Sequence, residues 1–137
     1  MRIKFSTLTL IAILLLMTSG LGCVEDAESL KDLTPREAFA IIQKNRDNPN
    51  FAMLDVRTPE EFAGGHIEKA VNLDFYNINF RKKLSELDKN KTYLVYCQAG
   101  VRSGEALEVM KKLGFKRIFH LPAGIEGWEE GGLPLER

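Results

Sequence analysis

The stretch that decides the fold is TYLVYCQAGVRSGEALEVMKKLG, residues 92–114. Its first five residues are β-branched, aromatic or aliphatic, which predicts a buried strand. Residues 101–113 are predicted to form a helix, and Gly114 is typical of a helix C-terminus. Cys97 therefore follows the carboxyl end of a strand and precedes the start of a helix. A strand that leads directly into a helix is the repeating unit of a parallel sheet.

The position of Cys97 favours a reactive thiolate. Successive backbone N–H groups of a turn that enters a helix converge, and the helix dipole adds positive potential. Arg102 places a permanent cation on the same loop, and Gly100 allows the backbone to curl closely around the sulfur. These features stabilise the thiolate, which is the nucleophilic form of cysteine. A free cysteine is often only a buried core residue, but the spacing of Cys97, Gly100 and Arg102 favours a functional role.

Short apolar segments alternate with helical ones on both sides of this unit. Thr34, Pro35 and Glu37 have the pattern of a capping box with proline in the first turn, so a helix is predicted to start there. The segment after Leu121, which is rich in Gly and Glu and carries Trp128, is predicted to be a loop. The fold class predicted is α/β, with a central, mainly parallel sheet flanked by helices on both faces. Further strands are predicted at 51–56, 70–73 and 117–121, and further helices at 59–63 and 80–87.

The first 22 residues have the layout of a secretory signal peptide. Arg2 and Lys4 precede a strongly apolar stretch of ten residues at 8–17, in which only Thr9 is polar, and small residues follow. The whole uncharged run, residues 5–24, is also long enough to be an uncleaved membrane anchor. Either arrangement places the rest of the chain outside the cytoplasmic membrane, as an exported protein.

The pair Gly22-Cys23 resembles the end of a lipobox, which implies that Cys23 becomes the lipid-modified first residue of the mature protein. The alternative is an ordinary small-residue cleavage site beside an incidental cysteine. On either interpretation residues 23–32 are predicted to be a tether and residues 33–137 the folded domain. Removing residues 1–22 takes away two basic residues and no acidic one, so the neutral chain becomes mildly acidic.

The composition excludes several classes of protein. A chain of 137 residues fits one domain with its own core. The 19 basic and 19 acidic residues give no footprint for nucleic acid, and two cysteines cannot build a disulfide scaffold or a four-thiolate metal site. His66 and His120 have no second ligand at metal spacing. We therefore expect no metal and no cofactor, with both histidines structural or exposed.

Three ordered motifs between residues 33 and 135 resemble those of the rhodanese-like domains of sulfurtransferases. The first is LDVRTPEEF at 54–62, followed by GHI at 65–67. The second is CQAGVRS at 97–103, which matches the active-site loop of that family. The third joins Leu121, Gly124 and Trp128 to GLP at 132–134. Lys69 and Ala123 stand where the family usually has glycine.

The resemblance implies a nucleophile at Cys97 and a loop that holds the transferred sulfur, formed by Gln98, Ala99, Gly100, Val101, Arg102 and Ser103. It implies that the side chain of Arg102 anchors the loop to an acidic partner, and we expect Ser103 to cap the helix and donate a hydrogen bond to the sulfur. It also implies a structural signature made of Asp55, Arg57, Gly65 and His66. The expected partners are a small-molecule sulfur donor, such as thiosulfate or a persulfide, and a thiol or cyanide acceptor. We expect a monomer.

Two other functions are weighed against sulfur transfer. A membrane-tethered sulfur-relay or binding module would keep the same loop and show little turnover on small donors. A phosphatase or arsenate reductase would need a wider loop, because related phosphatases place one more residue between their Cys and Arg. Four residues separate Cys97 from Arg102, which disfavours the phosphate chemistry.

Overall fold

The computed structural model describes residues 29–137. The predictions for the signal peptide, for Cys23 and for the start of the tether lie outside the described residues. Within them, strands and helices alternate along the chain, in the order β1 (Ser29–Asp32), α1 (Pro35–Lys44), β2 (Phe51–Asp55), α2 (Pro59–Ala63), β3 (Val71–Asn72), α3 (Phe80–Ser85), β4 (Thr92–Tyr96), α4 (Val101–Lys112), β5 (Arg117–His120) and α5 (Gly124–Glu130).

The five strands form one sheet in the order β1-β5-β4-β2-β3, and every pair of neighbouring strands is parallel. This confirms the predicted parallel α/β architecture. Strand β1 had been assigned to the tether, and this prediction is wrong. Ser29–Asp32 pairs with β5 along its whole length, so the folded domain begins four residues before residue 33, its predicted start. This strand forms because it pairs with β5, which is distant in the sequence. A short polar segment does not by itself predict such pairing.

Helices cover both faces of the sheet, as predicted. Successive side chains of a strand point to opposite faces, so Tyr93 and Val95 of β4 enter one core and Leu94 and Tyr96 enter the other. Helices α3 and α4 pack on the first face, where Cys97 continues the row of β4. Helices α1 and α5 pack on the second face, around Trp128.

Two helices start with a complete capping box. The Thr34 hydroxyl accepts the N–H of Glu37 at 3.3 Å, while the Glu37 carboxylate accepts the N–H of Thr34 at 2.8 Å. Thr58 and Glu61 make the same exchange at the start of α2. The first box was predicted from its spacing. The second fixes the position of Glu61, which matters for the candidate site.

The segment at the C-terminus corrects a second prediction. Gly124–Glu130 is helix α5, not a loop. Its glycines lower the helix propensity, but Ile125 and Trp128, three residues apart, are buried on one face of the helix. Tertiary packing of that face therefore stabilises a helix that local propensity does not predict.

The two departures from the expected glycines have different structural consequences. Lys69 has φ 65°, the left-handed conformation in which glycine is preferred. Ala123 has φ −70° and ψ −15°, an ordinary helical conformation that any residue adopts. Only the turn at Lys69 is therefore strained by the replacement.

The connections place a crevice at the carboxyl ends of β2 and β4. From β2 the chain moves outward to β3, and from β4 it moves outward in the opposite direction to β5. Ligands of open α/β sheets bind at such a reversal point. In the part of the chain that the structure describes, no helix has the length and hydrophobicity needed to cross a membrane.

Candidate active site

Cys97 lies at the base of the loop between β4 and α4. Its side chain is almost completely buried, with 1% exposure. The backbone N–H of Gly100 donates to the Cys97 Sγ at 3.1 Å, and the Ser103 Oγ lies 3.3 Å from the same sulfur. The first helical hydrogen bond of α4 runs from the N–H of Gly104 to the carbonyl of Gly100. The three N–H groups before it have no carbonyl partner within the helix, so this end of α4 favours negative charge.

Two glycines allow the loop to pack against the turn after β5. Gly100 has φ 94°, and a Cβ at that position would lie 2.2 Å from the carbonyl oxygen of Pro122. Gly124 has φ 62°, and a Cβ there would lie 2.2 Å from the carbonyl oxygen of Gln98. Any side chain would therefore force the two loops apart. Gly100, predicted to let the backbone curl around the sulfur, thus also allows the close approach to Pro122.

Arg102 points to a carboxylate. Its two terminal nitrogens donate to the two carboxylate oxygens of Glu61 at 2.7 and 2.8 Å, a bidentate pair that joins α4 to α2. These hydrogen bonds lower the pKa of Glu61 to about 2, and they raise the pKa of Arg102. The Arg102 guanidinium also lies 5.6 Å from the ring centre of Tyr76. The loop is thus anchored to an acidic partner, as the family resemblance implied.

Ser103 has one of its two expected roles. Its hydroxyl is within hydrogen-bond distance of the Cys97 sulfur, but it does not cap the helix. The N-cap residue of α4 is Gly100, with no side-chain cap, and Ser103 is the third residue of the helix. The Ser103 hydroxyl also donates to the Gly100 carbonyl at 3.1 Å. The prediction of a cap is wrong because the helix begins two residues earlier than Ser103.

Asp55, Arg57 and Gly65 meet beneath the crevice. The Arg57 Nη2 donates to an Asp55 carboxylate oxygen at 2.7 Å and to the Gly65 carbonyl at 2.7 Å, and the Arg57 Nε lies 3.0 Å from both Asp55 oxygens. Burial opposes the charge on Arg57, but the hydrogen bonds to Asp55 prevail and raise the pKa of the guanidinium. The three residues therefore form a buried structural joint that fixes the turn after β2.

His66 joins the same region to the C-terminal segment. Its ring stacks on Phe62 with 3.7 Å between ring centres, and its Nδ1 lies 3.0 Å from the Phe62 carbonyl. Its backbone exchanges two hydrogen bonds with Glu136, at 2.9 and 2.8 Å. The expected structural role of this histidine agrees with these contacts. Trp128 also packs in the core, and its Nε1 donates to the Pro134 carbonyl.

The rim of the loop is apolar and acidic. Val101, at the end of the loop, is 72% exposed, and the Gln98 amide donates to Glu126 at 3.1 Å. An open cavity of about 230 Å³ adjoins the loop, and Glu129 adds a carboxylate to its lining. It is lined by Arg57, Glu61, Gly64, Gly65, Gln98, Ile125, Glu129 and Leu135. The surroundings of the loop therefore combine aliphatic side chains with carboxylates, and the paired guanidinium of Arg57 lines the same cavity.

Besides Glu61, the structure adds two residues that the sequence did not assign to the site. His120 is buried behind Ser103, with its Nε2 2.8 Å from the Ser103 hydroxyl. Its Nδ1 lies 3.0 Å from an Asp32 carboxylate oxygen. The signal was available, because His120 ends a strand predicted to be parallel to β4, and carboxyl ends of parallel strands share one edge. Asp32 gave no such signal, since β1 itself was not predicted.

Within residues 29–137, no group of three or more His, Cys, Asp or Glu side chains is arranged to hold a metal ion. The residues around Cys97 are instead hydrogen-bond donors and one ion pair. Their chemistry suits an anionic sulfur at the start of a helix.

The match to a known family covers the segments that form this site. The model of the rhodanese-like domain matches residues 38–131, most of the chain, and includes both the Asp55 turn and the Cys97 loop. The chain belongs to the rhodanese-like domain family.

Relatives of this rhodanese-like domain carry sulfurtransferase names. A sulfurtransferase of Allochromatium vinosum is 33% identical over 99 residues, which are 72% of this chain and 91% of the relative. The thiosulfate sulfurtransferase GlpE of Actinobacillus pleuropneumoniae is 28% identical over 110 residues, 80% of this chain and 96% of the relative. The crystal structure of a rhodanese-related protein from Thermoplasma volcanium aligns with a TM-score of 0.64 at 29% identity, covering 77% of this chain and 97% of that one.

Proposed function

We propose that this rhodanese-like domain is a sulfurtransferase that carries the transferred sulfur as a persulfide on Cys97. The observation that carries the proposal is the setting of the sulfur. Cys97 Sγ accepts the N–H of Gly100 at 3.1 Å at the start of α4, while the nearby guanidinium of Arg102 is bound to Glu61. The Gly100 amide at the start of a helix therefore contacts the sulfur directly, whereas Arg102, which is paired with Glu61, interacts with Cys97 only electrostatically.

The proposed reaction has two displacement steps. The Cys97 thiolate attacks the outer sulfur of a donor such as thiosulfate, and a bond forms between the two sulfur atoms. The bond from that outer sulfur to the rest of the donor breaks, and the leaving group, sulfite in the case of thiosulfate, departs with the electron pair. An acceptor thiolate or cyanide then attacks the outer sulfur of the persulfide. Cys97 leaves as a thiolate, ready for another cycle.

The contacts of Arg102 also bear on the phosphatase alternative. A phosphate ester needs cationic donors that reach its oxygens. Both terminal nitrogens of Arg102 are bound to the Glu61 carboxylate, in a pair that raises the pKa of the arginine and lowers that of its partner. This arrangement and the short loop support transfer of a single sulfur atom over transfer of a phosphate.

The charges at the rim bear on the class of donor. Glu126 accepts the amide of Gln98 in the Cys97 loop, Glu129 and Gln98 line the adjoining cavity, and the side chains of Ala99 and Val101 carry no charge. A dianion such as thiosulfate is repelled by this rim, whereas a persulfide with an uncharged body is not. We therefore propose a low-molecular-weight persulfide as the better donor and thiosulfate as the weaker one, with a difference that diminishes as salt is added.

The experiment is mass spectrometry of the full chain after incubation with thiosulfate or with a persulfide donor. We expect a gain of one sulfur atom on the tryptic peptide 92–102, which contains Cys97. Cys97→Ser abolishes the gain, and Cys23→Ser, the matched cysteine control, retains it. An unchanged mass with both donors would sink the proposal.

A second measurement separates turnover from relay. Addition of cyanide or a thiol to the loaded protein removes the sulfur from Cys97 if the chain is an enzyme. A persulfide that forms but resists both acceptors indicates the sulfur-relay module. Hydrolysis of an aryl phosphate that depends on Cys97 would point instead to a phosphatase.

The same mass spectrum tests the proposed location of the protein. We propose that the chain is exported and held at the membrane through Cys23. Protein extracted from membranes then begins at Cys23 and carries the mass of a lipid. A chain that begins at Met1 indicates an uncleaved anchor, and one without lipid indicates secretion.

A further inference from the structure

A line of hydrogen-bonding groups runs from the reactive sulfur to the edge of the sheet. The Cys97 Sγ lies 3.3 Å from the Ser103 Oγ, and that oxygen lies 2.8 Å from the His120 Nε2. The His120 Nδ1 lies 3.0 Å from the Asp32 Oδ1. Ser103 and His120 are buried, whereas the Asp32 side chain is 68% exposed. Four groups, on two strands, one helix and the loop after β4, thus connect a buried thiol to a carboxylate at the surface.

The strands bring these groups together on one face of the sheet. In the parallel register Asp32 is beside His120, and His120 is beside Val95, two residues before Cys97. Side chains two residues apart on a strand share a face. The imidazole of His120 contacts one charged group, Asp32 of β1. Its other neighbours are the Ser103 hydroxyl of α4 and, in the adjacent strand β4, the aliphatic Val95. Arg102 interacts electrostatically with Cys97 itself.

The partners of His120 fix the direction of its hydrogen bonds. An ionised carboxylate only accepts, so Nδ1 carries a proton and donates to Asp32. When the single proton of the Ser103 hydroxyl turns from the Gly100 carbonyl, 3.1 Å away, to the neutral ring, Nε2 accepts it, and the thiol of Cys97 donates to the Ser103 oxygen. In the imidazolium Nε2 donates to Ser103, whose own proton turns to the sulfur. Both protonation states therefore leave the line of hydrogen bonds continuous.

We propose that His120, held by Asp32, takes up the proton of Cys97 through Ser103. The S–H bond of Cys97 breaks as an O–H bond forms on Ser103, and the original O–H bond of Ser103 breaks as an N–H bond forms on His120. The products are a thiolate and an imidazolium, and the net charge of the four groups does not change. His120 is thus a positioning residue that acts on the sulfur through Ser103.

Burial explains why this line matters. Ionising a buried group without a partner carries a large desolvation cost. Here the new positive charge rests on a ring that already donates to a carboxylate, an arrangement that orients the ring and stabilises the imidazolium. The inference rests on the proposed function, because it supplies the thiolate that the first displacement step needs.

The test measures alkylation of Cys97 by iodoacetamide as a function of pH, on the full chain, through the tryptic peptide 92–102. Thiolate reacts and thiol does not. His120→Gln keeps polar atoms near Ser103 but cannot take up a proton, so the pH midpoint of alkylation rises. We expect the rate at pH 7 to fall on the order of tenfold, which corresponds to about one pH unit. At high pH, where the thiol ionises without help, the rate returns to that of the natural chain.

Asp32→Asn is the second variant. It lies on the exposed edge strand and keeps an acceptor for Nδ1, so the fold is preserved while the charge is lost. We expect the midpoint to move in the same direction by a smaller amount. Asp47→Asn is the matched control, since that side chain is 96% exposed and lies in the turn that follows α1. It leaves the midpoint unchanged.

Two results would overturn the inference. One is a midpoint that stays at the natural value in His120→Gln, or in Asp32→Asn where His120→Gln does not fold. The other is a rate that falls equally at pH 7 and at high pH, because that reports access to the sulfur and not its ionisation. Alkylation needs no sulfur donor. A chain that alkylates as expected but never gains sulfur contradicts the proposed function alone.

Discussion

Two arginine–carboxylate pairs support the same end of the sheet, and they differ in reach and burial. Asp55 and Arg57 are two residues apart in the chain, and their side chains are 0% and 4% exposed. Glu61 and Arg102 are 41 residues apart, and their side chains are 32% and 15% exposed. The first pair holds one turn in shape. The second holds the Cys97 loop against a helix from a different part of the chain.

The difference shows how similar chemistry serves two purposes. A buried pair that loses one partner leaves an uncompensated charge in the core, so both residues are needed for the fold. A partly exposed pair is screened by solvent and contributes less to stability. Its bidentate geometry still orients the loop. The stability of the domain should therefore respond to Arg57, and the position of the active loop to Arg102.

The largest expected effect comes from breaking the buried pair. Arg57→Ala leaves the Asp55 carboxylate buried and removes the donor to the Gly65 carbonyl. We expect the free energy of unfolding in urea to fall by about 3–5 kcal/mol. Arg46→Ala is the matched control, because its pair with Glu68 is about half exposed on both sides. It should cost at most about 1 kcal/mol. Equal losses in the two variants would remove the distinction between buried and exposed pairs.

A smaller effect is expected where backbone fit, not charge, places the loop. Gly100→Ala adds a Cβ 2.2 Å from the Pro122 oxygen at a positive φ. Gly114→Ala has a similar φ of 87°, with nothing within 4 Å of the new Cβ. Thermal or urea unfolding should show a loss of about 2–4 kcal/mol for Gly100→Ala and about 1 kcal/mol for Gly114→Ala. A loss that is the same in both would mean that φ alone, and not contact with Pro122, is responsible.

The smallest expected effect is on the pH dependence of stability, which involves the Glu61–Arg102 pair. The hydrogen bonds from Arg102 lower the pKa of Glu61 from 4.5 to about 2. A lowered pKa in the folded state contributes stability that is complete above pH 4.5 and is lost as the pH falls towards 2. Between about pH 5 and pH 3, the natural chain should therefore lose on the order of 1 kcal/mol more than Glu61→Gln does. Parallel curves of unfolding free energy against pH would contradict this assignment, and Glu68→Gln provides the exposed control.

Much of the fold follows from local sequence, and the reason is visible in particular residues. β4 was predicted with its observed bounds, Thr92–Tyr96, because every one of its residues favours a strand. The capping box of Thr34 and Glu37 fixed the start of α1. β1 and α5 were missed because both depend on distant partners. β1 pairs with β5, and Ile125 and Trp128 bury one face of α5.

The candidate site divides in the same way. The Cys97 loop was found because its residues are adjacent in the chain. The residues that support the loop were not found, because Glu61, His120 and Asp32 belong to three other elements of the fold. The parallel sheet alone brings the ends of β4, β5 and β1 together. Identification of such residues requires the strand order as well as the motif.

The borders of the sheet have a consequence for association between copies. One edge is β1, with four residues, and the other is β3, with two. Edge strands present unpaired backbone groups to which a second sheet can add, and short, charged strands limit this addition. Lys31 and Asp32 place opposite charges on β1. The protein thus resists edge-to-edge aggregation by the brevity of its borders, and lengthening either edge with apolar residues would remove that protection.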